Sequence, residues 1–133
     1  MDLQEIREKF SNDRFATDCL GAVVESVEGD EAVCSFEIGP QHRNAAGGVM
    51  GGALFTIADF AFAVATNHGG TLVVSAASTI EFIGGAKGSR VIARAVPDKI
   101  GRSLCFYTVR VEDDLGNLLA KVSITGKITS AKI

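Results

Sequence analysis

The sequence predicts an α+β fold in which an antiparallel sheet wraps around one long central helix. Three observations carry that prediction. The run from about Gly51 to Asn67 has the length of a helix and is apolar nearly all round, and a helix without a polar face is buried on most sides. Both flanks of the run are strand-like, with polarity alternating between short turn signals. The chain therefore reads as strands, one buried helix, then more strands, and a sheet folded over the helix is the economical way to bury both.

In order along the chain, Leu3, Ile6, Arg7 and Phe10 fit a short amphipathic helix, and Ser11 to Cys19 follow as a loose turn or second helix. Gly21 to Val27 and Ala32 to Ile38 read as a hairpin closed by Gly29-Asp30. In its second arm Ala32, Cys34, Phe36 and Ile38 alternate with Val33, Ser35 and Glu37. Gly39 to Met50 is a polar, glycine-rich loop. Beyond the helix the pattern is that of a β-meander, with strands Leu72 to Ile83, Ser89 to Val96, Ser103 to Glu112 and Leu118 to Ile128. Turn signals at Gly84-Gly85, Asp98 to Gly101 and Asp113 to Asn117 separate them. The last strand sets Ala120, Val122 and Ile124 against Lys121, Ser123 and Thr125, so one face is packed and one is wet.

The 133 residues fit a single domain spanning 1–133, and 47 % hydrophobic residues suffice for a substantial core. A net charge of −3 with scattered basic residues excludes a nucleic-acid surface. The longest apolar stretch, Ala53 to Ala65, is interrupted by Asp59 and is too short to span a bilayer. The amino terminus has neither the positive flank nor the apolar run of a signal peptide, so a reducing cytoplasm is the expected location. Cys19, Cys34 and Cys105 have no metal or redox spacing and are expected as small core residues. With two scattered histidines they form no ligand set, so neither a metal nor a separate cofactor is expected.

Asp59 is the only ionisable residue between Met50 and Asn67. A carboxylate on an apolar helix must be paired, protonated or used, because burying it alone costs several kcal/mol. It is either capped by a neighbour such as Thr56, or it is a catalytic group whose pKa is raised by desolvation. Gly51-Gly52 opens the same helix. A helix start offers unsatisfied N–H groups and partial positive charge, and glycine lets a ligand oxygen approach them closely. The pair is either that kind of carbonyl-polarising site or loop punctuation. Eight residues separate Gly51 from Asp59, about 12 Å along a helix. One helix cannot bring both to one carbonyl. A shared site requires two copies packed with antiparallel helices, and the apolar circumference of the helix favours such a partner.

The segment from His42 to Ala53, followed by Ile57-Ala58-Asp59, resembles the phenylacetic-acid-degradation (PaaI-like) type of hotdog acyl-CoA thioesterase. That family's pattern is an Asn, five residues, His-Gly-Gly, then an acid seven residues past the second Gly. Asn44, Gly51-Gly52 and Asp59 keep those spacings. The resemblance runs over nearly the whole chain, including Ser75, Ser78 to Phe82, and Gly101-Arg102. It implies hydrolysis of an acyl-CoA with a medium-chain or aromatic acyl group, in a homodimer or dimer of dimers with shared active sites. Asp59 would be the base for a water, or a nucleophile through an anhydride. The Gly51 amide would bind the thioester oxygen, Asn44 from the facing chain would orient water or carbonyl, and Ser75 would fix the water or Asp59. Coenzyme A would enter only as part of the substrate, its pantetheine threaded between subunits, with His42, Met50, Gly52 and Arg102 near it. His42, on the loop beside Asn44, is read first as a brace of that loop and second as a proton carrier. Met50 stands where the family has histidine, and Gly84-Gly85 replaces the family's Arg-Pro. The alternatives on the same fold are a hydratase or dehydratase, and an acyl-CoA-binding module without turnover.

Overall fold

The computed structural model describes residues 1–133. Helix α1, Leu3–Phe10, is capped by Asp2, whose carboxylate accepts from the Glu5 N–H at 2.8 Å, and it buries Ile6 and Phe10. A π-helical turn, Phe15–Leu20, occupies the segment whose sequence fits either a turn or a helix. Strands β1, Val23–Glu28, and β2, Glu31–Glu37, form the expected hairpin. Glu28 lies opposite Glu31, so Gly29 and Asp30 alone turn the chain, and Gly29 takes a φ of 60°. That left-handed conformation is one glycine adopts without strain.

Helix α2, Gly51–Asn67, follows the loop, and then come β3, Thr71–Phe82, β4, Arg90–Ile100, β5, Leu104–Asp113, and β6, Leu118–Lys132. The six strands form one antiparallel sheet in the order β1-β2-β4-β5-β6-β3. Strands β4, β5 and β6 are the expected meander, but β3 is not part of it. It pairs with β6 at the far edge, and β4 pairs with β2 instead. Alternating polarity fixes which face of a strand is buried, not which strand lies beside it. Here α2 touches every strand of the sheet, so the chain leaving it can start β3 on the distant edge. The Asn67 side chain fixes that start: its oxygen accepts from the Val73 N–H at 2.5 Å and its amide donates to the Val73 carbonyl at 3.2 Å.

The link from β3 back to β4 is held by Asp113, a buried residue with 2 % of its surface exposed. Its carboxylate accepts from the N–H groups of Lys87, Gly88, Leu115 and Asn117 and from the Asn117 side chain, all between 2.9 and 3.0 Å. Burial alone would raise its pKa, but the hydrogen bonds from Asn117, Lys87 and Gly88 outweigh it and hold the carboxyl well below the usual carboxylate range. Asp113→Ala strands these donors and is expected to cost about 3 kcal/mol in urea unfolding. A depressed folded pKa gives stability that is full above the unfolded value and lost as pH falls through the folded one. The gap between parent and variant therefore closes on going from about pH 5 towards pH 2.

Thirty buried hydrophobic residues form one core cluster, with Ile57, Phe62 and Val64 of α2 set against Phe36, Val91, Val109 and Val122 of the sheet. The sheet does not cover the helix all round, in line with the expectation that one small sheet cannot enclose its apolar circumference. Gly52, Phe55, Thr56, Asp59, Ala63 and Thr66 remain half-buried or exposed, and their three- and four-residue spacing makes them one stripe. Hydropathy counts Phe55 and Ala63 as core, yet the chain's own sheet wraps only the opposite side. No helix is long and apolar enough to cross a membrane.

Candidate active site

The start of α2 is assembled by the preceding loop. Arg43 and Val49 bridge its two limbs, and the Met50 N–H donates to the His42 carbonyl at 2.8 Å. His42 is buried and anchors the loop through its ring. Its Nδ1 accepts from the Gly39 N–H at 2.9 Å, so Nε2 carries the proton donated to the Leu20 carbonyl at 2.7 Å. The ring also packs on Phe36, with centroids 4.5 Å apart. Both nitrogens are engaged within the chain, so His42 can meet a ligand only with its ring surface.

Met50 precedes the helix with extended backbone and gives no side-chain cap. Neither Gly51 nor Gly52 finds an acceptor for its N–H, whereas Ala53 and Leu54 donate to the Met50 carbonyl. The first two amides of α2 are thus free donors at the positive end of the helix dipole. A Cβ on Gly51 would come within 2.8 Å of the exposed Phe82 ring, so a side chain here requires that ring to move. Asn44 lies exposed on the loop, with its side-chain oxygen accepting from the Ala46 and Gly48 N–H groups at 3.0 and 3.1 Å. Its amide NH₂ has no partner, so Asn44 can donate but has little capacity left to accept.

Asp59 sits on the open stripe of α2, half-buried, with no hydrogen bond or ion pair to its carboxylate. Thr56 does not cap it, because its hydroxyl donates to the Gly52 carbonyl at 2.7 Å. Asp59 lines a cavity of about 310 Å³ together with Asp13, Arg14, Phe15, Thr56 and Phe60. Burial pushes its pKa up, and the neighbouring Asp13 pushes it further. Arg14 does not neutralise it, being paired with Asp18. A second cavity, of about 330 Å³, adjoins through Phe15 and Thr56 and reaches Leu20, Met50, Gly52 and Ala53.

The remaining candidates lie elsewhere in the chain. Phe82, which covers Gly51, is opposite Ala120, whereas Ile128 donates to the Ser103 carbonyl beside Arg102. The two positions are eight residue steps apart along β6, about 27 Å, so Arg102 is at the other end of the sheet from Gly51 of its own chain. Ser75 is exposed on the edge strand β3, seven residues from Phe82. Cys34 and Cys105 are buried as expected, but Cys19 is exposed on the π-helical turn. No three His, Cys, Asp or Glu side chains gather as a metal site. Sequence reading missed Asp13 and Phe15. Both lie in the Ser11 to Cys19 segment, whose lack of a regular period tied neither of them to α2.

A sheet folded over one helix, with free amides at the helix start and an unpartnered carboxylate further along, is the hotdog architecture with a hydrolase-like set of groups. Comparison with known proteins gives the family. Residues 46–120, more than half of the chain, match the Thioesterase superfamily. The chain is 31 % identical over 109 residues to the acyl-coenzyme A thioesterase PaaI of Escherichia coli strain K12, covering 81 % of this chain and 77 % of that protein. A mutant of the phenylacetic acid degradation protein PaaI from Thermus thermophilus superposes with a TM-score of 0.77 at 31 % identity, over 84 % of this chain and 96 % of that one. The E. coli PaaI protein from the phenylacetic acid degradation operon shares the fold at a TM-score of 0.85 and 23 % identity, over 99 % of both chains. The chain belongs to the thioesterase superfamily, as a PaaI-like thioester hydrolase.

Proposed function

We propose that this protein hydrolyses an acyl-coenzyme A thioester with a medium-chain or aromatic acyl group, in an active site shared by two copies of the chain. The observation that carries the proposal is the separation of two unsatisfied features on one rigid helix. The free Gly51 amide polarises a carbonyl, and Asp59 is a base, but about 12 Å of helix divides them. An antiparallel second α2 brings Asp59 of the partner subunit to the Gly51 amide. The open stripe on α2 offers the surface for that packing. The outer edge of β3 supports it too, being a twelve-residue strand with no neighbour and one charged side chain, Glu81. An edge so little protected invites pairing with another copy.

In this site the Gly51 N–H holds the thioester oxygen and stabilises the negative charge that develops on it. Asp59 of the partner subunit takes a proton from water as the water oxygen bonds to the carbonyl carbon. If the carboxylate attacks instead, it expels the thiolate to form an anhydride, which water then hydrolyses to the same acid with return of the free carboxylate. In the water route the C–S bond then breaks, coenzyme A leaves as the thiolate, and the acid is released. The free NH₂ of Asn44 donates to the water or the carbonyl. The coenzyme is part of the substrate and the leaving group, not a resident cofactor, and the name of the E. coli relative supports that thiol.

Met50 lacks the hydrogen-bonding nitrogen that the family's histidine supplies. Restoring one good hydrogen bond near the reacting carbonyl is worth about 1.4 kcal/mol, so Met50→His is expected to raise kcat about tenfold. The test is thiol release from a panel of acetyl-, octanoyl-, phenylacetyl- and palmitoyl-CoA by the parent protein and this variant. Turnover of the octanoyl or phenylacetyl thioester is the expected result. Absence of turnover on every thioester, in both proteins, would overturn the proposal.

A further inference from the structure

The two cavities beside α2 differ in chemistry. The one holding Asp59 also carries Asp13 and Arg14, whereas the larger is walled chiefly by Phe15, Leu20, Met50 and Ala53. Most of its polar capacity is already used: both His42 nitrogens are bonded within the chain and the Thr56 hydroxyl is on the Gly52 carbonyl, which leaves the exposed Gln41 amide as the one unengaged polar side chain besides the weakly polar Cys19 thiol. Such a lining selects for an apolar occupant, since it offers little to replace the water lost by a polar one. The cavity also begins at the free amides, because Met50 and Gly52 line it. A thioester held at the start of α2 therefore has this opening beside it.

We infer that this cavity receives the acyl group of the substrate and that Phe15 is the wall that sets acyl length. The inference rests on the thioester-hydrolase reading and deepens it by naming a specificity-determining residue. Phe15 is 69 % exposed on its π-helical turn, an unfavourable position for so large an apolar ring unless something packs there. It borders both cavities and stands between the apolar one and the carboxylates. The volume, about 330 Å³, is at the lower end of the roughly 300–1,000 Å³ of small-molecule sites. A compact group such as an aromatic ring or a chain of about eight carbons fits it, and a long fatty chain does not.

Two substitutions at exposed positions test this from opposite sides. Phe15→Ala opens the wall and is expected to raise the ratio of palmitoyl to acetyl kcat/KM about tenfold. Cys19→Phe fills the cavity, which Cys19 also lines, and is expected to lower the octanoyl to acetyl ratio about tenfold. If the parent turns over thioesters and both ratios stay at parental values, the inference is wrong. If the parent turns over none, the functional reading fails by itself, and the cavity is judged by binding. Cys19 is the one exposed thiol, so its alkylation by iodoacetamide reports occupancy without turnover. A non-hydrolysable S-octyl-CoA thioether at saturation should slow that alkylation at least fivefold. Unchanged alkylation would overturn the inference.

Discussion

Asp59→Asn is expected to lower kcat for thioester hydrolysis by about a thousandfold, without loss of the fold. A positioned general base contributes roughly 10²–10⁴-fold, and no other carboxylate is available on the exposed stripe of α2. The pH dependence distinguishes this role from a merely structural one. Burial, and secondarily Asp13, raise the Asp59 pKa, and the base works only when ionised. The parent's kcat/KM should therefore fall with acidity at a pH above the ordinary aspartate range. Stability should move the other way. A carboxyl whose folded pKa is raised weakens the fold once it ionises, so the penalty grows as pH rises from the unfolded pKa through the folded one. Asp59→Asn should then match the parent in acid and equal or exceed its Tm at neutral pH. A variant both inactive and markedly less stable at neutral pH would mean that Asp59 holds structure instead.

Much of this arrangement is legible in the residues, and the reasons differ by element. The span of α2 follows from its length and composition, and Asp59 is conspicuous because one charge in an apolar helix demands an explanation. The free amides of Gly51-Gly52 follow from the fact that every helix start has them. The position of β3 is not legible, because alternation sets faces and leaves neighbours open. That one sheet leaves part of α2 uncovered follows from its apolar circumference, but which residues lie open is hidden for a related reason: Phe55 and Ala63 look like core residues whether the surface covering them is the chain's own or a partner's. The bracing role of His42 is legible from its place on the loop beside Asn44, whereas the partners it braces against, Gly39 and Leu20, are not. Phe15 is placed near α2 by a π-helical turn that has no local signature, and Asp13 by the irregular segment leading into it. The exposure of Cys19 is hidden by the same turn.

The second large effect concerns the sharing of the site. In a dimer whose sites each take Gly51 from one chain and Asp59 from the other, two different inactive variants can repair each other. Gly51→Pro removes the amide hydrogen while suiting the first position of a helix. The extended Met50 backbone before it, with φ −61° and ψ 138°, accepts a following proline. The Phe82 ring that the new side chain would meet is 60 % exposed and free to swing aside. Paired with Asp59→Asn, it gives two chains, each lacking the half that the other retains.

Both variants should be inactive when purified alone. Unfolded together in equal amounts and refolded, they should regain about a quarter of parental activity, since half of the dimers are mixed and half of the sites in those are intact. A refolded mixture no more active than its separate parts would contradict the shared site, as would a fully active monomer.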